Sequence, residues 1–298
     1  MAGSYWEQVI ADDMSVPTDR PLGDLTAELT RMLGDTDPLL RDDIALPTLA
    51  TWIERGVYDD LLAGLGDGMT TGLSRGLGGG RRVRGDDASL GPTGPDAVFR
   101  RSFSALVLGV CIERDNAVSV LPDTTVLGWG DRLVTWLLGE TDQRGWVPGK
   151  GWAHAVAHGA DALAALAASR HLGTPELTVL LDVVADLAIT STEQRWTAGE
   201  PDRLAGSVLA VLRRDLVPMS VLEPWIERLL TAATMDPASV EDTGADPYAA
   251  THNAEAFLRA LYLRLAIGPR PPEVRGDLVL VLVDALRRST PWALGPTA

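Results

Sequence analysis

Apolar residues recur about every 3.6 positions in one segment after another, and this constrains the chain more than any other feature. "TPELTVLLDVVADLAITS" (174–191) and "VPMSVLEPWIERLLTAATM" (217–235) each place leucine, valine and isoleucine on one helical face. Their starts and stops agree with that reading. "PLGDLTAELTRMLG" opens on Pro21 and closes on Gly34, and "DPLLRDDIALPTLATWIERG" offers Asp37 as N-cap, Pro38 at the first turn and Gly56 as terminator. Pro47 interrupts the second of these, so two short helices or a kink are expected there.

"DAVFRRSFSALVLGVCIERDN" is nearly all apolar from Phe103 to Ile112 and reads as a central helix. "LVLVLVDAL" is rich in Val and Leu, but its neighbours and the Asp284–Arg287–Arg288 face favour helix over strand. About twelve helices joined mostly by short loops predict an all-α fold of antiparallel helical pairs. The array is expected to be a HEAT/armadillo-like superhelix or α/α-toroid-like, although no clean repeat motif is present. One domain over 1–298 is expected. The Gly-rich loop 76–95 is the best place to look for a boundary, and the tail 290–298 is expected to lack order.

Composition narrows the partners. Hydrophobic residues at 46% allow a well-buried core, and a net charge of −15 repels a phosphate backbone. The basic cluster Arg81, Arg82 and Arg84 lies beside Asp86 and Asp87 without aromatic partners, so it reads as a solvated loop and nucleic acid is not an expected partner. No apolar run approaches the ~20 residues of a bilayer span, and the start "MAGSYWEQVIADDM" lacks the pattern of a secretory signal; a soluble cytoplasmic protein is expected. Cys111, the single cysteine, sits in an apolar run and reads as a buried, inert thiol.

Chemistry concentrates in "GKGWAHAVAHGADAL" (149–163), which holds the only lysine and two of the four histidines. On a helix running from Trp152 to about Leu172, His154, His158 and Asp161 fall within roughly a 60° arc. Three readings follow. Two imidazoles and a carboxylate could hold a divalent metal as cofactor, or could handle protons as an acid–base enzyme. They could line a groove for a polar small molecule or peptide. They could also be structural, bonding neighbouring backbone in an interaction scaffold.

The zinc-peptidase pattern is not met, because Ala155 stands where H-E-x-x-H carries its general base. Further ligands are available in sequence at His252, Asp242, Asp246 and Glu255. Lys150, just before the helix start, gains only if a carboxylate, a phosphate or the Asp161 neighbourhood faces it. Trp146 and Trp152 flank "WVPGKGW" and suit an aromatic wall at a pocket mouth. The binding reading thus rests on Lys150, Trp152, His154, His158, Asp161 and His252.

Elsewhere, Glu255 and Arg259 form an i,i+4 pair, and Arg41, Asp42 and Asp43 read as a solvated face. Ser207 lacks the second glycine of a nucleophile elbow, and no phosphate-binding loop is present. The segments "LRDDIALPTLATWI", "FRRSFSALVLGVCIERD", "GWVPGKGWAHAVAHGADAL", "DRLAGSVLAVLRR" and "NAEAFLRALYLRL" resemble the bacterial domain-of-unknown-function 2785 family from about residue 20 to 268. "KGWAHAVAHGAD" is the most specific part. The resemblance implies an all-helical bacterial protein and brings no catalytic residues with it.

Overall fold

The computed structural model describes residues 2–74, 94–190, 192, 194–234 and 248–294. They are predominantly α-helical, as expected, with a single two-stranded sheet among the described residues. Contacts divide the chain into two compact units, Met1–Ala162 and Leu163–Ala298. The division falls inside a helix and not at the Gly-rich loop, whose residues 76–93 lie outside the described residues together with Arg81, Arg82, Arg84, Asp242 and Asp246.

The first unit contains α1 (Ala2–Ala11), α2 (Leu22–Met32), a π-helical stretch (Leu39–Ala45), α3 (Leu46–Glu54) and α4 (Leu62–Leu73). After α5 (Ala97–Val118) and α6 (Asp123–Gly139) come β1 (Trp146–Val147), β2 (Gly151–Trp152) and most of α7 (Ala155–Ala167). The interruption expected at Pro47 takes a definite form. Proline in the first turn of α3 has no N–H to give the residue four before it, and the preceding stretch winds as a π-helix. Asp37 Oδ1 accepts the Leu39 N–H at 3.0 Å at the start, and Gly56, at φ +78°, ends α3 as expected.

Close helix approach explains much of the small-residue content. A Cβ at Gly66 of α4 would lie 2.1 Å from the Trp129 indole of α6. One at Gly159 of α7 would lie 2.6 Å from Leu137, and one at Gly109 of α5 would sit 3.1 Å from the Ala162 backbone. Cys111 is fully buried in α5, and burial pushes its thiol up to about 12.

At the N-terminus, Trp6 Nε1 donates to Glu28 at 3.0 Å and Arg20 donates to the same carboxylate at 2.6 Å. Partial burial works against the Glu28 anion, but these two donors outweigh it and hold its carboxyl below the ordinary glutamate range. A depressed folded value contributes stability above the unfolded pKa and loses it as pH falls through the folded one. The acid limb of the stability–pH curve will therefore be shallower in Glu28→Gln than in the parent below about pH 4.5, the ordinary glutamate value. Denaturant titrations at stepped pH check this, and parallel curves would contradict it.

The second unit holds α8 (Thr174–Ile189), α9 (Glu200–Leu212), α10 (Met219–Ala233), α11 (Tyr248–Ile267), α12 (Arg275–Ser289) and α13 (Pro291–Leu294). "LVLVLVDAL" lies within α12, a helix as read. The expected tail begins with the short helix α13, and residues 295–298 lie outside the described residues. In the second unit α8 packs against α9 and α10, α9 against α11, and α10 against α11 and α12; in the first unit α3 packs against α5, and α4 against α5 and α6.

Candidate functional site

The expected helix from Trp152 to Leu172 is shorter in the structure, and its start is a hairpin. β1 and β2 pair antiparallel, Trp146 opposite Trp152 and Val147 opposite Gly151, and the Lys150 N–H closes the turn on the Val147 carbonyl at 3.0 Å. Gly149 and Gly151 take φ of +75° and +81°, the left-handed region that a three-residue hairpin loop needs. Pairing runs on past β2: Ala153 and His154 donate to the carbonyls of Gly145 and Arg144.

His154 itself has φ +48°, so it cannot be the first residue of a helix. Its carbonyl instead accepts the His158 N–H at 2.9 Å, and α7 begins at Ala155. At the other end α7 stops at Ala167. There the Arg214 guanidinium takes the carbonyls of Ala167, Ser169 and Leu172 at 2.6–3.1 Å, a C-terminal cap with no local sequence signal.

The hairpin turn is clamped from beneath. Lys150 Nζ reaches both oxygens of Asp96 at 2.7 and 2.9 Å, so the carboxylate that the lone lysine required is the residue preceding α5. Arg41, read from sequence as part of a solvated face, is fully buried. It donates to the Lys150 carbonyl and the Asp35 carbonyl, each at 2.7 Å, and pairs with Asp42 at 2.6 Å. Its Nε has no hydrogen-bond partner among the described residues. Its guanidinium lies 4.2 Å from the Phe99 ring centroid and 4.9 Å from that of Phe103. A Cβ at Gly151 would stand 2.9 Å from Arg41 Nη2, so glycine is needed there for space as well as for φ.

From Arg41 a row of rings leads outward. His158, 7% exposed, meets Phe103 edge-on at 4.8 Å. His154 meets His158 at 5.7 Å, also edge-on, and stacks on Trp152 at 4.2 Å with 21° between planes. Trp152 meets Trp146 at 4.9 Å, and these two indoles are 38% and 58% exposed. His154 and His158 thus lie side by side across a turn, and not on a shared helical face.

Asp161 lies one turn further along α7, half-buried. Its carboxylate acts on Glu113 of α5: crowding protein atoms, then Glu54, then Asp161 raise the Glu113 carboxyl above its ordinary value, although the side chain keeps solvent access. His252 belongs to α11 of the second unit, where the expected Glu255–Arg259 pair forms and Thr290 donates to Glu255 at 2.8 Å. Among the described residues no three His, Cys, Asp or Glu side chains gather as a metal ion would need. The groove expected along α7 is also corrected: nearly every residue from Ala153 to Ala167 is buried, so the accessible part of the site is the hairpin.

A sequence profile described as "Protein of unknown function (DUF2785)" matches residues 88–263. Searches of curated proteins and of solved structures find no match. No helix among the described residues is long and apolar enough to cross a membrane. The match covers more than half of the chain, including the hairpin, both histidines and α5 through α10, and the chain belongs to the DUF2785 family.

Proposed function

We propose that this is a binding protein whose ligand, a polar small molecule or a peptide, lies on the hairpin platform of Trp146, Trp152 and His154. The observation that carries the reading is the pair of solvent-facing indoles in edge contact, backed by a stacked imidazole. Aromatic side chains with few rotatable bonds lose little entropy when a ligand covers them, and such residues dominate many recognition surfaces. Non-glycine backbone at positive φ costs ~1–3 kcal/mol and persists where surroundings over-determine it; His154 is such a residue. In this reading Lys150 and Arg41 hold the turn, and His158 props His154 from behind without touching ligand. Within the second unit, the contacts of α8 with α10, α9 with α11 and α10 with α12 support a helical-repeat scaffold of the HEAT/armadillo-like or α/α-toroid-like kind.

A thermal-shift screen of polar metabolites and short peptides tests the proposal. Hits on the parent protein should vanish in Trp146→Ala and in Trp152→Ala. Trp146→Ala itself should cost under ~1 kcal/mol of stability, because more than half of the side chain already faces water. His158→Ala should instead cost ~1–3 kcal/mol through lost packing on Phe103. Hits that survive removal of both indoles would refute the platform.

A further inference from the structure

Four glycines punctuate α4, and only two have a packing reason. Gly66 admits Trp129, and Gly72 admits Ser104, whose Oγ would lie 2.2 Å from a Cβ there. Gly64 and Gly68 would meet nothing within 4 Å, and neither would Gly23 on α2. Glycine in a helix interior costs stability relative to alanine; Gly64 and Gly68, like Gly128 of α6, have no packing reason within the chain, and what sets Gly64 and Gly68 apart is the groove they share with Gly23.

Gly23, Gly64 and Gly68 line this groove between α2 and α4, an open apolar trough of about 370 Å³. Gly64 and Gly68 are four residues apart on one wall, as are Gly23 and Ala27 on the other. Tyr58, its hydroxyl held by Thr26 at 2.8 Å, lines it as well, and Leu61 stands 57% exposed beside Gly64. Paired small residues one turn apart let a helix backbone approach closely, and exposed leucine supplies apolar area.

Charge identifies the visitor. From Gly56 to Ser74 the chain has no lysine or arginine but carries Asp59, Asp60 and Asp67, and the α2 wall adds Asp24 beside Gly23. Asp59 is bonded to Arg114 and Asp67 accepts the Trp129 Nε1–H at 2.9 Å, whereas Asp24 and Asp60 are exposed. Arg31, at the far end of α2, lies in the field of Glu28. We propose that this groove docks an amphipathic helix of a partner protein, its stripe of small and apolar residues edged by lysine or arginine. Basic edges would face the acidic rims, and the bare glycines would let the helix sink between the walls.

Two labelled synthetic helices with the same Ala/Leu stripe test this, one edged by lysine and one by glutamate, titrated against the full chain by fluorescence anisotropy. The lysine peptide should bind the parent and the glutamate peptide should not. Gly64→Leu/Gly68→Leu, which fills open space and should fold with an equal or higher Tm, should weaken the lysine peptide about tenfold or more. Asp24→Asn/Asp60→Asn should weaken it several-fold and flatten its salt dependence; this pair carries the test if the leucine variant fails to fold. Equal binding to the filled variant, equal binding of both peptides, or no binding of either overturns the proposal. So does a dimer of the parent chain that Gly64→Leu/Gly68→Leu dissociates, since the occupant would then be a second copy.

Discussion

Replacing Arg41 with methionine will cost ~3–5 kcal/mol of folding stability, although nothing in the sequence around it marks it as central. The side chain is fully buried, and desolvation lowers its pKa despite the acids Asp42, Asp35 and Asp37 around it. Methionine restores much of the volume but leaves three acceptors without their donor: the carbonyls of Asp35 and Lys150, and the Asp42 carboxylate. Arg41→Lys should rescue little, since one ammonium cannot span both carbonyls and lie flat on Phe99 and Phe103. Because the Lys150 carbonyl is the hairpin's anchor, near-UV circular dichroism from Trp146 and Trp152 should also weaken in Arg41→Met. A stability loss below ~1 kcal/mol with that signal intact would show the contacts to be dispensable.

The second large effect belongs to Glu140, at the end of α6. It accepts two bonds from buried Arg101 at 2.5 and 2.9 Å, one from Trp136 Nε1 at 3.0 Å and one from the Asp142 N–H at 3.0 Å. Glu140→Ala removes the carboxylate that accepts two bonds from a buried guanidinium and should cost ~3–5 kcal/mol. Removing both charges in Arg101→Met/Glu140→Leu should cost less than Glu140→Ala alone, because the buried cation leaves together with its carboxylate. Urea titrations of both single variants and the double variant decide the matter. Simple additivity would mean that the two residues act independently.

Local signals were read well wherever a local rule decides the outcome. Asp37 with Pro38, Gly56 at positive φ, and the helical identity of the Val/Leu run in α12 all follow from neighbours in sequence. The small profile of α7 was also legible, and its consequence is the contact of Ala162 with Gly109. What escaped depends on distance or brevity. Strands of two residues have no periodicity to detect, so "WVPGKGW" reads as loop. The left-handed His154 moves the helix start by three residues and removes the shared face on which the His–His–Asp stripe rested. Arg41 reads as solvated because its partner carbonyl at Lys150 lies 109 positions away. Asp96 finds Lys150 across 54 positions, a pairing that charge alone cannot select among so many acids.

The scarcity of lysine has a practical side. Lys150 supplies the chain's sole side-chain primary amine, and it sits at the hairpin turn between two partly exposed indoles. An amine-reactive dye will therefore find one internal attachment point, beside the proposed ligand platform, at the cost of the Lys150–Asp96 ion pair. Energy transfer from the adjacent indoles to such a dye would turn the hairpin into its own reporter, with no engineered cysteine and with Cys111 left sealed inside α5.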